Sequence, residues 1–264
     1  MAELKDKRLF LLDMDGTIYL DEQLFDGTLD FLAHVQRIGG RAMYLTNNSS
    51  KSVGSYVEKL KRLGIEAKPE DFFTSVNATV LHLQKRSFHK IYAFGTNSFK
   101  QQLREGGLPV TDRLEEDIDC LCMGFDTELT FQKLEDACIL LNRGVEYIAT
   151  NPDWVCPTWY GSVPDCGSVA EMLWRATGRR PQVIGKPQPH MVDLAVKQSG
   201  FTKGQTILLG DRLYTDIKSG VHAGIDTVLV LSGEATLEDL AASDVKPAYV
   251  FENIRDFLNH IIEE

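Results

Sequence analysis

Basic charge is scarce in this sequence: 28 Lys and Arg stand against 38 Asp and Glu, a formal net charge of −10. That balance excludes a general nucleic-acid binder and a protein held on anionic membranes, since both need a basic surface. It does not exclude a phosphorylated small molecule, because one local cation or a metal can dominate a single pocket. Apolar runs are short, and none approaches the ~18 residues that a membrane-spanning helix requires. The opening MAELKDKRLFLLDMDG holds no apolar core of about 7–15 residues ahead of a small-residue cleavage site, so no secretory leader is expected. Cysteine is sparse and uneven, with five residues, all between Cys120 and Cys166. An odd number argues against a disulfide framework, and Cys120-x-Cys122, Cys156 and Cys166 lack the repeated CxxC spacing of a zinc site. Reduced thiols in a cytoplasmic protein are the expectation. Internal repeats and low-complexity tracts are missing as well.

What is present is an ordinary globular composition, 43% hydrophobic and 25% charged over 264 residues, enough for one large or two moderate domains. One stretch organises the rest: Leu9-Phe10-Leu11-Leu12-Asp13-Met14-Asp15-Gly16-Thr17. Four consecutive apolar residues read as a strand covered on both faces, as in the middle of a parallel sheet. Ligands of open α/β sheets bind at the carboxyl ends of the strands. Side chains at i and i+2 point the same way, so Asp13 and Asp15 face one site. A D-x-D-G string alone is ordinarily a turn. A calcium loop of the EF-hand type is excluded, because its sixth and twelfth positions, Gly and Glu by rule, are here Ile18 and Leu24.

Further along, Asp26 is expected to cap a helix to Ile38, and Ala42–Leu45 forms a second buried strand ending in Thr46-Asn47-Asn48-Ser49. Ser49 or Ser50 opens a helix to Leu63, and another helix runs from Asn77 to about Arg86. The pattern then restarts: strands at Ile91–Phe94, Cys120–Met123 and Tyr147–Thr150, with helices at about Ser98–Arg104 and Thr130–Asn142. Residues 150–167, rich in Pro, Gly and Trp and without clear period, read as a long functional loop. Helices follow at Ser168–Thr177, His190–Gln198 and Asp216–His222, with strands at Thr206–Leu209 and Thr227–Leu231. The last helix carries Ile254, Phe257, Leu258, Ile261 and Ile262 at amphipathic spacing. The expected fold is α/β: a doubly wound, Rossmann-like parallel core made of residues 1–77 and 181–264, with 78–180 inserted as an α/β cap.

Four polar clusters then stand at or beside core strand ends: Asp13-x-Asp15-x-Thr17, Thr46-Asn47-Asn48, Gly185-Lys186-Pro187 and Gly210-Asp211-Arg212-x3-Asp216. A parallel sheet brings such ends to one edge. Carboxylates, one lysine and several hydroxyl and amide donors suit phosphoryl transfer through a covalent intermediate. A phosphate monoester carries about two negative charges, so an attacking aspartate needs a divalent cation beside it. Mg²⁺ takes oxygen ligands from one or two carboxylates, which Asp13 and Asp211 supply, with Asp216 as a further ligand or support. Lys186 offsets phosphoryl charge. Thr46, its neighbouring amides and a helix start at Ser49 form an anion-binding corner.

These four motifs, in this order, resemble those of the haloacid dehalogenase superfamily of phosphatases. The long insertion, Asn151-Pro152-Asp153 and the Gly210–Ile217 motif resemble its NagD-like branch, which carries a large α/β cap. The likeness covers nearly the whole chain. It implies that Asp13 is the nucleophile of an aspartyl-phosphate. Asp15 would protonate the leaving oxygen and then activate water, which requires a raised pKa, while its backbone carbonyl binds Mg²⁺. The dehalogenases of the superfamily lack an acid at that place. Thr46 and Asn47, with Asn48 beside them, would hold the phosphoryl group; Lys186 would neutralise it; Asp211 and Asp216 would complete the metal site. Asn151 and Asp153 would face the leaving group, and Trp154, Trp159 and Tyr160 either stack on it or pack the cap. His190 and His222 read as structural, Arg212 as pairing with an acid, and Arg179-Arg180 as a solvated hinge. The expected activity is Mg²⁺-dependent hydrolysis of a small phosphorylated metabolite, a nucleoside monophosphate or a sugar phosphate, with no nucleic-acid or membrane partner. A phosphotransferase or mutase and a non-catalytic binding protein are the alternatives. A homo-oligomer is compatible with the sequence.

Overall fold

The computed structural model describes residues 3–263. Leu9–Leu12 lies inside a six-stranded, all-parallel sheet, in the order Tyr249–Phe251, Asp226–Val230, Thr206–Gly210, Leu9–Leu12, Arg41–Thr46, Phe72–Thr74. Its four residues are fully buried because both faces are covered. Phe10 and Leu12 pack with Phe31, Tyr56, Leu60 and Phe257 from the helices Thr28–Arg37, Val53–Arg62 and Ile254–Glu263. Leu9 and Leu11 pack on the opposite face with Met191, Val192 and Ala195 of the helix His190–Ser199. This is the doubly wound core expected from the alternation of strands and helices.

Between Arg41–Thr46 and the Lys186 motif the chain builds a second parallel sheet of five strands, in the order Gln182–Val183, Glu146–Ala149, Cys120–Met123, Ile91–Phe94, Val110–Thr111. One face has its own cluster around Phe94, Leu121, Leu140 and Leu173. The other face is continuous with the first sheet, because the helix Ser75–Gln84 contributes Val76, Ala78 and Leu83 to a cluster that holds both Met43 and Ala93. The Gln182–Val183 strand then leads into Gly185, whose amide donates to Thr150 O at 2.8 Å. The second sheet therefore hands the chain directly to the lysine motif.

Several expectations are corrected by the fold. Asp26 does not cap the first helix; Gly27 occupies that position at φ +86°, where a Cβ would lie 2.8 Å from Arg255 Cα. Asp26 instead pairs with Arg255 at 3.0 Å. The next helix begins at Val53, capped by Ser52, not at Ser49 or Ser50. Phe72–Thr74 is a strand, and the helix behind it starts at Ser75 through a capping box of Thr74 and Asn77. The 150–167 stretch is not a structureless loop: Val155–Thr158 and Gly161–Pro164 form an antiparallel hairpin with Trp159 and Tyr160 at its turn. Pro157, Pro164 and the half-exposed faces of both strands hide the period-2 alternation that announces a hairpin. Leu213–Ile217 is a single π-helical turn that precedes the α-helix Lys218–Ala223. Ile262 faces solvent while Ile254, Phe257 and Leu258 are buried.

Candidate active site

The central strand delivers Asp13 to the sheet edge, where its amide donates to Leu209 O at 2.9 Å. Lys186 Nζ, fully buried, donates to Asp13 Oδ1 at 2.5 Å, Asp216 Oδ1 at 2.5 Å and Leu45 O at 3.1 Å. Burial drives the Asp13 carboxyl well above its ordinary pKa; Lys186 opposes this, while Asp216 and Asp211 reinforce it. Burial would lower the Lys186 pKa, but Asp13 and Asp216 more than reverse this, so it stays charged.

Asp13, Asp211 and Asp216 bring carboxylate oxygens within 4.8 Å of one another, the one such group among the described residues. Asp211 is closely enclosed: a Cβ on Gly16 or Gly233 would fall 2.5 or 2.0 Å from its Oδ2. That oxygen accepts from the Glu234 amide at 2.8 Å, whereas Oδ1 is buried without a partner. Burial, then Asp216, push the Asp211 carboxyl up to about 7. Clustered buried carboxylates with an orphaned oxygen are a donor set that suits a hard divalent cation. The Asp15 carboxylate is not part of this group.

Asp15 belongs to a separate arrangement. Its Oδ2 accepts from the Tyr19 hydroxyl at 3.3 Å, and its Oδ1 lies 3.7 Å from Lys59 Nζ. Tyr19 comes from a short hairpin, Tyr19–Leu20 with Gln23–Leu24, folded over the site. Lys59 sits on the buried face of Val53–Arg62 with Tyr56 and Leu60, its ammonium 3.7 Å from the Tyr19 ring centroid. Burial lowers the Lys59 pKa and Asp15 raises it.

The Thr46-Asn47-Asn48 cluster divides by role. Thr46 Oγ1 accepts from the Asn48 amide at 3.1 Å, and Asn48 Oδ1 binds Ser50 Oγ at 2.7 Å; both residues line the cleft at Asp13. Asn47 lines the same cleft, as does Asp153, and turns its amide to the junction of the two sheets, where its Nδ2 donates to Asp153 Oδ1 at 3.1 Å and Lys186 O at 3.0 Å. Its Oδ1 accepts the Lys186 amide at 2.9 Å. Asp153 also pairs with Arg212 at 3.2 Å, and Arg212 reaches Glu234 at 2.8 Å and Val155 O at 3.2 Å. Asn151 is 1% exposed and donates to Asp165 at 3.1 Å, so the structure does not bring it to the cleft.

Beyond Asp15, Asn48, Cys156 and Pro157, the narrow cleft opens into a pocket of about 590 Å³ walled by Phe125, Leu129, Tyr160 and Val163, with Lys51 and Lys59 on its rim. Tyr160 faces this pocket; Trp159, 82% exposed, and Trp154 do not line it. His190 opens the helix His190–Ser199, and His222 Nδ1 donates to Pro187 O at 3.1 Å. Sequence reasoning missed Tyr19, Lys59 and the Gly233-Glu234 loop. Only Lys59 carried a signal, as a lysine on the apolar stripe of its helix, between Tyr56 and Leu60.

Comparisons with known proteins agree with this geometry. A family model described as Haloacid dehalogenase-like hydrolase matches residues 10–109, and a HAD-hydrolase-like model matches 183–257. An acid sugar phosphatase of Staphylococcus haemolyticus is 35% identical over 252 residues, 95% of each chain. The crystal structure of a 4-nitrophenylphosphatase from Thermotoga maritima superposes with a TM-score of 0.90 at 40% identity, covering 98% of both chains. A glycerol phosphate phosphatase from Mycobacterium tuberculosis, solved with magnesium, gives 0.89 at 28% identity, covering 97% of this chain and 76% of that one. With its inserted α/β cap and its sheet-edge carboxylates, this chain belongs to the haloacid dehalogenase superfamily, among the NagD-like phosphatases.

Proposed function

We propose that the protein hydrolyses small phosphomonoesters in two steps, with Mg²⁺ as cofactor and phospho-Asp13 as intermediate. The observation that carries this reading is the convergence of Asp13, Lys186 and the pair Asp211 and Asp216 from three strand ends, with Asp15 offset toward an adjoining pocket. Asp13, Asp211 and the Asp15 backbone carbonyl would hold the cation, with Asp216 behind them. When bound, it supplies positive charge that lets an anionic phosphate approach an anionic nucleophile.

Lys186 anchors Asp13 Oδ1, which leaves Oδ2 to attack phosphorus. As the Oδ2–P bond forms, the ester P–O bond breaks, and Asp15 gives its proton to the departing oxygen. Asp15 then takes a proton from water as that water attacks phosphorus, and the P–Oδ2 bond breaks to release phosphate and restore Asp13. Thr46 Oγ1 accepts from the Asn48 amide, and its hydroxyl would turn its proton to a phosphoryl oxygen. Asn47 and Asp153 line the cleft where the substrate would sit and also fix the Lys186 backbone and the cap side of the site.

The functional division would make the six-stranded sheet with its helices the catalytic core and the five-stranded sheet, which runs on past residue 180 to Gln182–Val183, the cap that selects a small leaving group. The relatives named acid sugar phosphatase, 4-nitrophenylphosphatase and glycerol phosphate phosphatase support a sugar or polyol phosphate ahead of a nucleotide. The test is phosphate release from a panel of such esters with Mg²⁺ and with EDTA. Turnover only with the cation supports the reading, and no turnover of any monoester overturns it.

A further inference from the structure

We propose that Lys59 is a positioning residue for Asp15: it fixes the carboxyl where the leaving oxygen is protonated, and so governs which esters the enzyme cleaves well. This rests on the reading of Asp15 as proton donor. Lys59 is 7% exposed, and a lysine is costly to bury unless its ammonium is paired. Among the described residues, Asp15 is its one ion-pair partner. The Tyr19 ring lies beneath the ammonium, its centroid 3.7 Å away, and Glu22, Asp21 and Lys51 act on it as further charges. The same Tyr19 donates its hydroxyl to the other Asp15 oxygen. Each carboxylate oxygen thus meets one group, from a helix on one side and from the flap hairpin on the other, and the side chain has one orientation in which both contacts hold.

Direct action of Lys59 on the phosphoryl group fits the geometry less well. Lys59 is absent from the lining of the narrow cleft at Asp13, where Lys186 already supplies the cation. It lines the adjoining pocket, on the side from which a leaving group must depart past Asp15. Its effect is therefore confined to the proton transfer that accompanies P–O cleavage, in which the Asp15 proton passes to the ester oxygen as that oxygen takes the bonding electron pair. An alkyl ester needs that proton, whereas a nitrophenolate departs without it.

The experiment compares kcat/KM for glycerol phosphate and for 4-nitrophenyl phosphate in the wild type, Lys59→Met, Lys59→Arg and Asp15→Asn, all with Mg²⁺. A positioned general acid contributes on the order of 10²–10⁴-fold, so Lys59→Met is expected to lose at least about tenfold more on the glycerol ester than on the nitrophenyl ester. Lys59→Arg, which keeps the cation, is expected to restore part of that selectivity. Lys59→Gln carries the same comparison should the Met variant not fold. Equal losses on both esters, or no loss on the glycerol ester, overturn the proposal. If Asp15→Asn shows the alkyl-specific loss and Lys59→Met does not, only the Lys59 assignment fails; if Asp15→Asn spares the glycerol ester, the acid role fails and takes this proposal with it.

Discussion

Asn47 and Asp153 meet across the two sheets, Nδ2 to Oδ1 at 3.1 Å, and Arg212 joins them from a third strand end at 3.2 Å. In the sequence the first belongs to the motif expected to hold the phosphoryl group and the second to the motif expected to face the leaving group. Their contact makes them a joint as well: it ties the strand end at Thr46 to the segment leading into the hairpin that walls the adjoining pocket. Removing one member of a buried charged contact costs more than the contact itself contributes. Asp153→Ala is expected to lower the unfolding free energy by about 3 kcal/mol. A double-mutant cycle with Arg212→Ala, read by urea denaturation, should give a coupling well above that of an exposed pair. Additive losses would contradict the joint.

Lys186 lies between Asp13 and Asp216 at 2.5 Å from each. Lys186→Met leaves those carboxylates and Asp211 crowded in a buried site with no cation among them. We expect loss of turnover together with a stability loss of about 3–5 kcal/mol in the absence of metal. Asp13→Asn, which keeps a partner for the ammonium, should leave the unfolding midpoint close to wild type. Chemical denaturation of the two variants side by side checks the contrast.

The orphaned Asp211 oxygen predicts a ligand-linked stability. A cation bound only by the folded state at about one hundred times its Kd stabilises by about 2.7 kcal/mol. Thermal unfolding should shift upward on adding Mg²⁺ and return with EDTA, and Asp211→Asn should abolish most of the shift. An equal shift in that variant would move the metal elsewhere.

Asp165 gives the pH dependence. It caps the Cys166–Thr177 helix from a buried position, and burial, then Asp153, push its carboxyl up to about 7. A carboxyl raised in the fold holds its proton more tightly there than in the unfolded chain. The stability it contributes is full below the unfolded value of ~4 and is lost as pH rises through about 7. Urea unfolding across that window should show a shallower decline for Asp165→Asn than for the wild type, since the amide keeps the cap without the proton linkage.

The core chemistry was legible because it depends on strand ends. Four apolar residues before Asp13 announce a doubly covered strand, and a parallel sheet sends every such strand to the same edge. Thr46 and Asp211 could therefore be grouped with Asp13 from sequence alone, while Lys186, which follows a strand of the second sheet, was grouped with them by its motif. The contact between Asn47 and Asp153 was not legible, because it depends on side-chain directions that only the packing of the two sheets fixes. The cap hairpin escaped notice because its prolines and exposed faces carry no alternation, and the flap at Tyr19 because its strands are two residues long. The loop over Asp211 depends on Gly233, whose missing Cβ matters only once the carboxylate lies against it.

The account centres on a phosphoryl group carried by Asp13. The direct measurement is an acid quench of Asp15→Asn during reaction with 4-nitrophenyl phosphate and Mg²⁺, followed by peptide mass spectrometry. With cleavage able to proceed and the water step slowed, the peptide containing Asp13 should carry one phosphoryl group. Asp13→Asn should show neither that modification nor turnover. Turnover retained by Asp13→Asn, or a phosphoryl group found on another residue, would contradict the account.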